Sequence, residues 1–147
     1  MAGSTRFAVA VHLLTMMCAD RRRPITSQAL AKSANTNAAV VRRILGSLSR
    51  AGLTVTQLGK GGGAMLAKGP KKITLLDIYL AVEEPGLIPL HRAAPDPVCP
   101  VGGNIQAALT QVTADAENAF QNVLARVTLK QIAKEIAAKN AAAKSAA

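Results

Sequence analysis

One stretch constrains the fold more than any other. Leu53–Leu58 (LTVTQL) alternates and is rich in β-formers, Gly59-Lys60-Gly61-Gly62-Gly63 follows, and Ala64–Lys68 (AMLAK) resumes the strand pattern, so the spacing predicts a β-hairpin with a basic, glycine-rich tip. The surrounding composition is helical: 29 of the 147 residues are Ala, the strongest helix former. A chain of this length makes one compact domain. The expected class is therefore mainly α with a small β-hairpin, and the hairpin must lie against helices.

The helices before it are legible from their caps and periods. Ser4 precedes a stretch in which Phe7, Val11, Leu14 and Cys18 recur at helical steps, ending before Pro24, which places Cys18 on the expected core stripe. Thr26 caps a short helix over Ser27–Ser33, Asn35–Asn37 make a polar break, and a third helix runs from about Asn37 to Arg50 before Gly52 stops it. Two short helices joined by a tight polar turn are a helix-turn-helix candidate. On the third helix Val41, Ile44, Leu45 and Leu48 share one side. Ala39, Arg43, Gly46 and Arg50 fall opposite, with Arg42 and Ser47 at the flanks. The outer face is small and basic. Helix, helix, basic helix and hairpin in that order describe a winged helix-turn-helix.

Charge agrees with this order. Residues 1–72 carry twelve Lys and Arg against one acid, Asp20, whereas residues 73–147 carry six basic and seven acidic side chains. A basic half joined to a nearly neutral half suggests a nucleic-acid-binding module attached to something that does not touch phosphate. Phe7, Tyr79 and Phe120 are the whole aromatic complement, which argues against readers that stack bases on aromatic platforms and leaves duplex DNA as the expected partner. The candidate contacts are Ser27, Gln28, Asn37, Ala39, Arg42, Arg43 and Arg50 on the helices, with Lys60, Gly61 and Gly62 on the wing.

Other classes find no support. Gly59-x-Gly61-x-x-Ala64 approaches a dinucleotide fingerprint, but that loop must open a helix, and Gly69-Pro70 cuts one off. Two His, no supported nucleophile–base spacing and no paired carboxylates in a loop leave an enzyme without a site. The apolar run Phe7–Ala19 resembles a secretory signal until His12, Met16, Met17 and the following Arg21-Arg22-Arg23 are noted. No stretch reaches membrane-span length, so a soluble protein is expected, and the sparse cysteines point to a reducing cytoplasm. Two cysteines, Cys18 and Cys99, make neither a CxxC motif nor a disulfide scaffold.

The second half reads as an assembly device. Thr74-x-x-Asp77 opens a helix reaching about Glu84, and Pro85–Pro100 holds five prolines. Ile105, Leu109, Val112, Ala116, Phe120, Val123 and Val127 then form one stripe on a helix of about 24 residues, roughly 36 Å long. Such a helix outreaches a small head, and its stripe is the expected homodimer interface. Thr128-x-x-Gln131 starts a last helix. The expected organisation is a DNA-binding head over 1–84, an irregular loop over 85–103, dimerisation helices over 104–138 and a disordered Ala/Lys/Ser tail over 139–147.

The run VVRRILGSLSRAGLTVTQLGKGGGAMLAKGPKKITLLDIYLAVE (Val40–Glu83), with CPVGGNIQAAL (Cys99–Leu109) and VTLKQI (Val127–Ile132), resembles the Rrf-two family of bacterial transcriptional regulators. The resemblance implies a homodimer whose winged heads bind palindromic operators, with the long helix from each subunit at the interface. It implies a sequence-specific regulator, expected to repress; a less specific architectural DNA-binding protein is the alternative. Several members carry three cysteines in the loop before the long helix, where this chain has only Cys99, within Pro95–Pro100. Fe–S clusters take four protein ligands, commonly thiolates, so no cofactor, cluster or metal is expected. Cys99 keeps two readings, a lone thiol that senses oxidants or electrophiles and a structural residue. Gly102, Gly103 and Asn104 lead into a helix whose amides lower a thiol pKa if the loop folds back toward them.

Overall fold

The computed structural model describes residues 4–147, which form six helices and one hairpin: α1 (Arg6–Ala19), α2 (Ser27–Ser33), α3 (Ala38–Arg50), β1 (Thr54–Gln57), β2 (Gly63–Leu66), α4 (Leu75–Val82), α5 (Ile105–Ala125) and α6 (Leu129–Ala146). The short-range signals in the sequence are the ones that set the boundaries. Thr26 Oγ1 accepts from Ala29 N at 3.2 Å and Asn37 Oδ1 from Val40 N at 2.9 Å, each satisfying an amide that the first turn leaves unpaired. Thr74 with Asp77, and Thr128 with Gln131, close reciprocal capping boxes at the starts of α4 and α6.

The core is built by α1, the inner face of α3, the hairpin and α4. Leu13, Leu14, Leu30, Val41, Leu48, Ile73 and Ile78 are fully enclosed. The strands are shorter than LTVTQL and AMLAK suggest and pair antiparallel from Thr54 opposite Leu66 to Gln57 opposite Gly63. Ile25 adds a single bridge to Ala64, with hydrogen bonds of 3.0 and 2.9 Å in the two directions, which ties the loop after α1 to the hairpin.

Two expectations are corrected. The buried face of α1 is Ala10, Leu13, Leu14 and Met17, while Phe7, Val11 and Cys18 are only half-buried. The helix is apolar on nearly every side, so periodicity alone does not choose the inner face. The segment 139–147 is not a disordered tail: α6 continues through Ala146, consistent with the high helix propensity of its Ala and Lys residues. Helix α6, grouped with α5 in the expected dimerisation helices over 104–138, also returns to the head. Leu129 lies in the head core, its N–H donates to Ile73 O at 2.8 Å, and Leu75 N donates to Val127 O at 2.9 Å.

The long helix α5 is 21 residues, about 31 Å at 1.5 Å per residue, and none of its residues is fully buried. Its apolar positions divide between two adjacent sides. Phe120 faces the chain's own head, packing edge-to-face on Tyr79 at 5.1 Å, and Tyr79 packs in the same way on Phe7 at 6.0 Å. Phe120, expected in the dimer stripe, is therefore engaged within its own chain. Leu109, Val112 and Val123 stay uncovered at 37%, 64% and 61% exposure, with Ile105 and Ala116 half-buried among them.

Candidate nucleic-acid interface

The amphipathicity of α3 positions the site. Val41, Ile44, Leu45 and Leu48 anchor it to the core, which turns Ala39, Arg42, Arg43 and Arg50 outward, all exposed. Between α3, the start of α2 and the hairpin lies a groove of about 470 Å³ whose lining includes Ser27, Arg42, Gly46, Ser49, Arg50 and Thr56. The structure thus brings Ser27, Arg42 and Arg50 to one groove and leaves Ala39 and Arg43 on the open face of the same helix. Gln28 is exposed on α2. The side chain of Asn37 is committed to capping α3, although the residue is exposed at the start of that helix. Arg50 Nη2 donates to Ser47 Oγ at 3.2 Å, which steadies the guanidinium over Gly46; a Cβ at Gly46 would stand 3.5 Å from Arg50 Nη1 and meet nothing else.

Sequence reasoning singled out neither Ser49 nor Thr56. Ser49 lies 20° from Arg42 on a 100° wheel, and Thr56 occupies an exposed strand position. Wheel and strand alternation were the available signals, but only the hairpin's fold back onto α3 joins them.

At the wing tip the Gly62 amide donates to Gly59 O at 3.0 Å. A Cβ on Gly62 would collide with the Gln57 carbonyl, so the tight turn requires glycine there. Lys60 and Gly61 are exposed at this tip and Gly62 is half-buried. None of the ion pairs among the described residues involves Arg42, Arg43, Arg50 or Lys60. The first turns of α2 and α3 contain no acidic residue, so the positive ends of both helix dipoles add to the cationic face. We expect Lys60→Ala to weaken binding to all duplexes similarly and to lower the salt slope by about one. Titrations at several salt concentrations check this, and an unchanged slope would put the wing off the DNA.

Helices α2 and α3, the hairpin and this unpaired cationic surface define a winged helix-turn-helix DNA-binding fold. The comparisons with known proteins agree. The profile of the Rrf2 family, described as an iron-dependent transcriptional regulator, matches residues 3–135, and the chain belongs to that family. YwnA of Bacillus subtilis (strain 168), named as an HTH-type transcriptional regulator, is 36% identical over 129 residues, 88% of this chain and 95% of that protein. Two structures share the fold at lower identity. CymR, the global cysteine regulator of B. subtilis, superimposes with a TM-score of 0.69 at 20% identity, covering 92% of this chain and 98% of that one. T. potens IscR gives 0.69 at 19%, covering 92% and 88%. The family consists of transcriptional regulators, not enzymes.

The family description implies iron, and the donor set can be tested against it. Cys99 is the one thiol in the loop before α5, whereas Cys18 lies on α1. Among the described residues no three His, Cys, Asp or Glu side chains gather as metal ligands. A single chain does not offer the four ligands that a cluster takes, and the residues present do not fit one.

Cys99 is exposed in a tight turn. Its carbonyl accepts from Gly103 N at 2.8 Å, and Val101 O accepts from Ile105 N at 2.8 Å. A Cβ on Gly102 would strike the Asp96 carbonyl, so glycine lets the loop close on itself. The nearby backbone amides of Gly102 and Val101 lower the Cys99 thiol pKa from its usual range. Burial pushes Cys18 the other way.

Among the described residues no helix is long and apolar enough to cross a membrane.

Proposed function

We propose that the protein is a cytoplasmic, homodimeric, sequence-specific repressor that binds palindromic operators without a cofactor and senses oxidants or electrophiles through Cys99. The observation that carries the DNA-binding part is the groove between α3 and the wing, where Arg42 and Arg50 stand without carboxylate partners. Arginine's planar fork matches both phosphate and the paired acceptors of guanine. Ser27, Gln28, Asn37, Ala39 and Arg43 complete the helical contact surface, with Lys60, Gly61 and Gly62 reaching phosphate from the wing. The dimer is formed by the uncovered side of α5, through Ile105, Leu109, Val112, Ala116 and Val123. The deciding experiment is a footprint on the gene's own upstream region. Discrete inverted half-sites support this reading, whereas coverage without register would make the protein an architectural DNA binder.

The sensing part rests on the exposure of Cys99 at the turn into α5 and on the lowered pKa of its thiol. The thiolate attacks a peroxide oxygen, the O–O bond breaks, and a sulfenic acid and hydroxide result, the latter taking a proton to become water. The added polar group lies in the turn entering α5, where a small reorientation displaces both heads of a dimer. Because the Cys99 pKa is lowered, its alkylation rate should rise at lower pH than that of an ordinary thiol, and the Cys18 rate at higher pH. Mass spectrometry after timed alkylation across pH 6–9 checks the order. Mild oxidation should reduce operator binding by wild type and leave Cys99→Ser unaffected. Equal responses in the two proteins, or no response while Cys99 is modified, would make the thiol structural.

A further inference from the structure

Resting on the DNA-binding reading above, we infer that Gly46 is where α3 meets the sugar–phosphate backbone of one DNA strand, its missing side chain admitting that strand to the helix backbone inside the α3–wing groove. Gly46 is the one glycine inside a helix among the described residues. It stands a full turn before the end of α3, where only proline is less favourable. Nothing in the chain itself calls for it. Its φ is not positive, and a Cβ built there would meet only Arg50 Nη1 at 3.5 Å, an ordinary contact with the far end of a flexible side chain. At Gly62, by contrast, the chain's own Gln57 carbonyl excludes a Cβ. Alanine at position 46 fits the free protein and strengthens the helix.

What glycine provides is room on the outside. Gly46 lines the groove, and so do Arg42 and Arg50, four residues before and after it on the same side of the helix. Neither arginine has an ion pair among the described residues, and no carboxylate lines the groove. The facing wall is the hairpin, through Thr56, Gly63 and Ala64, which carry small side chains or none. A duplex backbone separates a major from a minor groove, so a helix seated in the major groove and a wing beyond its edge hold one strand between them. The space between α3 and the hairpin is that position. Arg42 and Arg50 are about 12 Å apart along the axis at 1.5 Å per residue, and Gly46 leaves the helix bare midway between two side chains suited to phosphate.

The test measures melting temperature and affinity in wild type, Gly46→Ala, Arg50→Ala and the double variant, with a duplex from the gene's own upstream region and a random duplex of equal length. Gly46→Ala is expected to melt about 2–4 °C higher. It should bind both duplexes about tenfold more weakly and by a similar factor, because the backbone is common to both, with an unchanged salt slope, because no charge is removed. A residue that only supported the fold would move stability and affinity in the same direction. In the Arg50→Ala background the tenfold loss should persist, since the strand and not the guanidinium meets the added methyl. Its disappearance would reduce Gly46 to a seat for Arg50 and overturn the proposal. So would undiminished binding by Gly46→Ala, a lower melting temperature, or a loss confined to the upstream duplex, which would put bases rather than backbone against the helix. Wild type that binds neither duplex would overturn the DNA reading itself, whereas wild type and Gly46→Ala binding equally well would overturn this inference alone.

Discussion

Replacing Leu109 and Val112 together with Asp is expected to leave the protein monomeric and to lower operator affinity by about 10²–10⁴-fold, the gain normally made by linking two half-site contacts. Both side chains are exposed within one chain, at 37% and 64%, so carboxylates there remain hydrated in the folded monomer. In a dimer built on this face they are desolvated without partners, at a cost of roughly several kcal/mol each. Sedimentation at micromolar concentration and circular dichroism separate the two effects: mass should halve while helicity is kept. A wild type that already sediments as a monomer would refute the assembly. The division of α5 into two sides makes a contrast available. Phe120→Ala, on the side facing its own head, should lower stability without changing the oligomeric state.

The second large effect is expected at the outer face of α3. Arg43→Ala should weaken operator binding by about 1–3 kcal/mol and relax preference at one base position. Arg43 is exposed, has no ion pair among the described residues and points away from the core formed by Val41, Ile44 and Leu48. Its removal should therefore leave thermal stability nearly unchanged. Equal loss on operator and random DNA would instead make it a phosphate contact. Full affinity in both Arg42→Ala and Arg43→Ala would remove α3 from the interface.

What was legible in the sequence depends on how far the cause lies along the chain. Caps act over three residues, and Thr26, Asn37, Thr74 and Thr128 each mark a helix start. The strongly amphipathic α3 announced its inner and outer faces. Helix α1 did not, because apolar residues surround it and only the packing of its neighbours selects Ala10, Leu13, Leu14 and Met17 as the inside. The return of α6 to the head depends on Leu129 meeting Ile73 across more than fifty residues, and no local pattern carries that. Part of the α3–wing groove was readable as basic residues on a helix. Its closure by Ser49 and Thr56 was not, because it needs the hairpin in place.

The aromatic column Phe7–Tyr79–Phe120 has an optical consequence. The chain has no Trp and one Tyr, so its emission near 305 nm and most of its near-ultraviolet dichroism arise at one place. That place is where α1, α4 and α5 meet. The unlabelled protein therefore carries its single tyrosine at the joint between the DNA-facing head and the long helix, and tyrosine emission recorded during a titration reports the geometry of that joint.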